Sequence, residues 1–291
     1  ILNVKPIPIF SDHSSIVDQK NLSETRDIYA RLALPYVPRI LHLLDQNQYS
    51  PSYCSFDRAF WHYRTMDFPC GMSQEMVLLL ALVYQNPYPG NSFHMVPRIR
   101  ELCEAAISFM IKSSHIDGTC DDYFPYERAM GALVFSLYAA TESYLILKMN
   151  DEAMQSFFIK RVRHLALEDE TGRLANHQAL AALAAYNVYL ITGDKQALET
   201  SENRLALTLS WQNNEEGWFQ EYEGADPGYH SCSIDFLAKL RKKRIKNDGS
   251  DEPNLKNALL NAVNFSWNFM HPDGSYGGEY GSRNTFHFYP H

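Results

Sequence analysis

A chain of 291 residues with 45% apolar and 21% charged side chains can bury a globular core, which excludes a disordered tail. Its 34 acidic against 26 basic residues leave −8, which argues against a general nucleic-acid binder, because neutralising phosphates needs a basic surface. No apolar run is long enough to span a membrane, and Cys54, Cys70, Cys103, Cys120 and Cys232 show neither CxxC pairing nor metal-ligand spacing.

Residues 1–50, with Pro6, Pro8, Pro35 and Pro38, read as an extended lead-in and one helix. From residue 51 to 291 helical periodicity dominates and strand alternation is scarce, so a single all-α domain is expected. Met76 to Tyr84 is apolar almost all round, as in a helix buried on several sides. Between Gly131 and Met149, Leu133, Val134, Leu137, Tyr138, Thr141, Tyr144 and Leu145 recur at helical steps. Leu180, Leu183, Ala184 and Val188 repeat the pattern further on.

The punctuation also repeats. Asp117-Gly118, Thr171-Gly172, Glu216-Gly217 and Asp273-Gly274 each end a helix and open a short polar-aromatic loop, roughly fifty residues apart. Two helices and two connections fill such a period, so stacked αα-hairpins are expected. Either an open solenoid or an α/α toroid follows, and the toroid, complete or incomplete, is favoured. Its loops should gather at one end, where function concentrates.

Two of these loops carry matched pairs. Asn176-His177 opens a helix after Glu168-Asp169-Glu170-Thr171-Gly172, and Tyr229-His230 opens another after Gly224-Ala225-Asp226-Pro227-Gly228. An amide, an imidazole and a phenol at successive helix starts suit removal of a proton next to a carboxylate. The bland alternatives are an N-cap for Asn176, a structural imidazole for His177 and a core ring for Tyr229. Glu221, Glu223 and Asp226 crowd the second loop, and their charge is awkward for an anionic substrate. Asp121-Asp122 with Glu127 fits no metal template, and no metal or other cofactor is expected. The cations Lys239, Arg241, Lys242, Lys243, Arg244 and Lys246 end a helix, where its dipole favours them.

Asn-His at a helix start, an Ala/Leu-rich helix, the Gly193-Asp194 turn and a polar loop with Tyr-His resemble the heparinase II/III-like and alginate-lyase-like polysaccharide lyases. The likeness covers residues 168–240, with the flanking hairpins matching as generic repeats. It implies an α/α toroid that cleaves a uronate-containing polysaccharide by β-elimination without a metal. Members of those families usually add a large β-sandwich, which is not read here. On this resemblance Asn176 holds the enolate-like charge, since an amide offers two donors. Tyr229 and His177 move protons, and Arg283 supplies a cation that favours phenolate or clamps the substrate carboxylate. His230, Tyr280, Tyr222, Trp218 and Tyr123 are the loop rings expected against the sugar.

Other readings stay open. A glycoside hydrolase on the same toroid would use two carboxylates among Asp122, Glu221, Glu223 and Asp226. An epimerase would share the proton abstraction and keep the leaving oxygen. A non-catalytic helical repeat would grip carbohydrate with its aromatic loops. Asp273-Gly274-Ser275-Tyr276-Gly277-Gly278 and Trp211-Gln212 through Gly217-Trp218 are similar to the repeats of terpene cyclases and prenyltransferase β-subunits, through shared hairpin architecture. The partner expected is an anionic poly- or oligosaccharide, with neither nucleic acid nor membrane. The expected location is soluble, cytoplasmic or periplasmic, with no leader read in the chain.

Overall fold

In the computed structural model, residues 19–272, 275–277 and 280–282 are described. Helices hold 64% of the described residues and strands 4%, so the chain is mostly helical as its periodicity predicts. Its described residues divide into two compact units, one of residues 19–170 with Ala184–Thr200, the other of Thr171–Leu183 and the described residues from Ser201 on.

The first unit begins with α1 (Gln19–Ala33) and α2 (Val37–Leu43). The single helix expected before residue 50 is thus two. Pro35 and Pro38 each sit in a first helical turn, where a missing N–H costs nothing, and a 3-10 turn over Leu34–Tyr36 joins the pieces. After α3 (Arg58–Trp61), a 3-10 segment Gly71–Met76 leads into α4 (Val77–Gln85). Next come α5 (Pro97–Ser113), α6 (Met130–Ile146) and α7 (Glu152–Leu167). The α4 and α6 helices are apolar on nearly every face and pack against each other and their neighbours. Leu80, Ala81, Leu133, Val134 and Leu137 are fully buried there. Helices α5 and α7 each offer one face, through Cys103, Ala106, Ile107 and Phe158, Val162, Leu165. Asp151 caps α7 by accepting the Met154 N–H at 2.8 Å.

Arg161 of α7 is wholly buried and pairs with no carboxylate among the described residues. Its guanidinium donates to the Gly118 carbonyl at 2.9 Å, the Ser136 hydroxyl at 2.7 Å and the Ser114 hydroxyl at 3.0 Å. It also lies over the Phe157 ring. One cation thereby fixes the Gly118 turn to two helices.

The second unit is built on α10 (Pro227–Asp248) and α11 (Pro253–Ser266), an αα-hairpin turned at left-handed Gly249. Helices α8 (Ala175–Thr192) and α9 (Lys195–Ser210) contribute their residues 175–183 and 201–210 to it. A two-stranded antiparallel hairpin, β1 (Gln220–Glu221) and β2 (Gly224–Ala225), precedes α10. Ala179–Leu183, Phe219, Phe236, Leu237 and Leu240 form the core. Gly217 has φ +90°, and a Cβ there would lie 2.6 Å from the Asn261 carbonyl oxygen. Only glycine lets this turn approach α11 so closely.

Candidate functional site

The start of α8 leaves backbone N–H groups without helical acceptors. Glu221, reaching in from β1, supplies one. Its carboxylate accepts the Asn176 N–H at 2.5 Å and the Asn176 side-chain Nδ2 at 2.9 Å. Leu174 and Glu221 also pair as an antiparallel bridge. Asn176 is 1% exposed and Glu221 2%, so the pair is an interior clamp. The Asn176 Oδ1 atom is buried with no hydrogen-bond partner among the described residues.

The next residue opens the two-residue turn between β1 and β2. Tyr222 has a left-handed φ of +53°, is half exposed, and meets the Tyr229 ring edge-on at 5.9 Å. Tyr229 itself is 9% exposed. Asp226 caps α10, accepting the Tyr229 N–H at 3.0 Å, while its other oxygen accepts the Ser282 N–H at 2.6 Å. A Cβ on Gly281 would fall 2.5 Å from that carboxylate. The Tyr276 hydroxyl donates to the Pro227 carbonyl at 3.0 Å. Residues 174–177, 219–230, 275–277 and 280–282 therefore meet at the starts of α8 and α10.

These segments bring Asn176, Tyr222 and Tyr229 into one connected cluster, with His177 half-buried beside Asn176. Several expectations need correction or placement. Asn176 is neither an N-cap nor an open donor pair, because Glu221 engages its amide. His230 is not a sugar contact. It is fully buried, its Nδ1 accepts the Phe219 N–H at 3.3 Å and its Nε2 donates to the Ala262 carbonyl at 3.0 Å. Burial holds its pKa below the ordinary histidine value, so it stays a neutral strut. Trp218 is half-buried with its Nε1 on Glu216, and Tyr280 is exposed beside Phe269 and His271. Tyr123 is exposed on a loop of the other unit. Arg283 and Gly274 lie outside the described residues.

Of the three carboxylates expected to repel an anion, Glu223 is exposed, while Glu221 and Asp226 face inward. Glu221 and Asp226 both serve helix N-termini, whose partial positive charge offsets theirs. Nearby Cys232 is inert: burial, and then Glu221, Asp235 and Asp226, push its thiol far up. The basic run is largely spoken for. Lys239 pairs with Asp235, Arg241 with Asp251, and Arg244 with Glu202 and Glu252.

In the first unit, Asp121 and Glu127 are loop staples. Asp121 accepts the Tyr126 and Arg128 N–H groups and meets His115 at 2.8 Å, while Glu127 accepts those of Asp122 and Tyr123. Among the described residues no cluster of His, Cys, Asp and Glu is arranged to hold a metal. Beside this loop the Cys70 thiol donates to Asp122 at 2.9 Å. Burial, and then the Asp122 charge, raise the Glu75 carboxyl from its ordinary 4.5 to about 7. Glu75 escapes a motif-based reading; its signal was a single acid at the mouth of the apolar run that becomes α4. No family model, curated protein or solved structure matches the chain.

Proposed function

We propose that the chain is a polysaccharide lyase whose helical hairpins belong to an α/α toroid and whose substrate is a uronate-containing polymer. The observation that carries this reading is the inward turn of Glu221 and Asp226. With both carboxylates committed to backbone N–H groups, the proton-transfer groups left at this end of α8 and α10 are the His177 imidazole, the Tyr222 and Tyr229 phenols and the single exposed carboxylate of Glu223, which has no second free acid beside it among the described residues to complete a pair. Such groups suit abstraction of a proton beside a carboxylate better than protonation of a glycosidic oxygen by a carboxyl pair.

In this scheme Tyr229 and His177 exchange protons with C5 and with the leaving oxygen at C4. Asn176 plays an altered part. Its Nδ2 is shared with Glu221, so the amide orients the start of α8 and adds at most one further donor to the developing enolate-like charge. Arg283, next in sequence to Ser282, is kept as the cation for the substrate carboxylate. An epimerase would use the same first step. The rings of Trp218, Tyr222 and Tyr280 are those proposed to line the sugar.

A second reading is favoured by Glu75 and Asp122. A carboxyl raised to about 7 next to a second carboxylate is the division of labour of a general acid and a base or nucleophile in glycoside hydrolysis. Tyr123, Phe124 and Tyr126 are exposed on the adjoining loop.

One assay separates the two. The chain is incubated with a panel of uronate polymers, with ultraviolet absorbance and reducing ends followed in parallel. Elimination yields the absorbing conjugated uronate together with each new end. Hydrolysis yields new ends alone and moves the assignment to Glu75 and Asp122. Carbohydrate binding with neither product would sink both readings and leave a binding module.

A further inference from the structure

A separate cavity of about 460 Å³ opens in the first unit between α3, the segment after it and α5. Its volume is within the range of small-molecule sites. Phe60, Trp61 and Phe109 give it an aromatic wall, and Arg64, Asp67 and Lys112 bring charge to the same space. The charges are not consumed by the fold. Lys112 donates one hydrogen to the Pro51 carbonyl at 2.7 Å, a neutral acceptor. Neither Arg64 nor Asp67 makes a hydrogen bond or ion pair with a described residue, although Arg100, Arg128, Arg161 and Arg241 all do. Arg64 moreover holds a left-handed φ of +54°, a conformation costly for a residue with a Cβ.

We propose that this cavity is a binding site for a small hydroxylated ring acid. Two cations against one carboxylate give the cavity a net positive charge within a chain of net charge −8, which selects an anion. The guanidinium of Arg64 matches a carboxylate in two parallel hydrogen bonds, with Lys112 adding a point charge. The aromatic wall accepts the flat or apolar face of a ring. Asp67, an acceptor only when ionised, takes a ligand hydroxyl. A sugar acid and a phenolic acid share this chemistry. The site uses none of the residues assigned to elimination, so either can fail without the other.

The test is calorimetric titration of the full chain with glucuronate and with para-hydroxybenzoate, each beside its uncharged counterpart, glucose and para-hydroxybenzyl alcohol. At least one acid should bind at a single site and more tightly than its counterpart. Glucuronate alone identifies a sugar acid, the benzoate alone a phenolic acid, and both the shared chemistry. Arg64→Gln should weaken that binding at least about tenfold, as loss of a charged hydrogen bond does. Lys242→Gln, a cation of the other unit, should leave it unchanged. Circular dichroism verifies the folding of each variant, and Lys112→Met stands in should Arg64→Gln misfold. The proposal is overturned if neither acid outbinds its neutral analogue, or if binding is indifferent to loss of both cations.

Discussion

Glu221 holds Asn176 by two donors at once, the backbone N–H at 2.5 Å and the side-chain Nδ2 at 2.9 Å. A residue of the loop before α10 thereby closes the exposed start of α8, forty-five positions earlier in the chain. The contact fixes where His177 sits and removes a carboxylate from the surface of the candidate site.

Asn176→Asp tests that clamp. It sets a second carboxylate against a buried one and deletes the Nδ2 donor. Stability at neutral pH should fall by more than the ~1–3 kcal/mol expected for one lost buried hydrogen bond. Acidification should recover part of it, because protonation of either acid restores a donor. Urea midpoints at two pH values read this out; equal losses at both would show that the two side chains do not meet.

Tyr229→Phe deletes one hydroxyl from a ring whose packing is otherwise kept. Folding should persist, with an unchanged circular dichroism spectrum and urea midpoint close to that of the parent. Elimination on a responsive uronate polymer should drop by ~10²–10⁴, the range for loss of a general acid or base. Undiminished turnover would remove Tyr229 from the proton-transfer pair and shift attention to Tyr222.

Glu75 makes stability depend on pH in a definite direction. Its folded pKa, about 7, exceeds its ordinary 4.5. Between those values the native state binds the proton that the unfolded chain has released, so stability is greatest below 4.5 and declines as pH rises toward 7. Beyond that range the contribution is flat. Glu75→Gln should therefore raise the denaturation midpoint near neutrality and above, and change it little in acid. A variant with the same pH slope as the parent would show that Glu75 does not carry it.

Arg161→Lys keeps the charge and loses the fork. A lysine cannot reach the Gly118 carbonyl and the Ser114 and Ser136 hydroxyls together, so buried acceptors are left open around a poorly held cation. The cost should be at least about 3 kcal/mol, within the range for breaking a buried charged network. A chemical-denaturation curve displaced by less than that would mean that water replaces the guanidinium contacts.

The sequence determined that helices dominate and which apolar stretches form them. Apolar steps of three and four residues identify α4, α6 and α8, and Gly118, Gly172 and Gly217 all adopt a left-handed backbone, though α5, α7 and α9 end at Ser113, Leu167 and Ser210, before the loop turns in which these glycines sit. Those signals are local, because helix periodicity and glycine's freedom act within a few residues. Likewise Asn176, Tyr229 and their helix starts were legible as a matched pair of motifs. What each side chain touches was not. Whether Asn176 is an open amide or a clamped one depends on Glu221, and whether His230 meets substrate or seals a core depends on Phe219 and on Ala262 of another helix. The ordinary acid Glu75 becomes one that titrates near 7 only when burial and Asp122 close around it. Such outcomes rest on desolvation and on hydrogen-bond partners distant along the chain, and no spacing rule encodes either. Tertiary packing alone decided them.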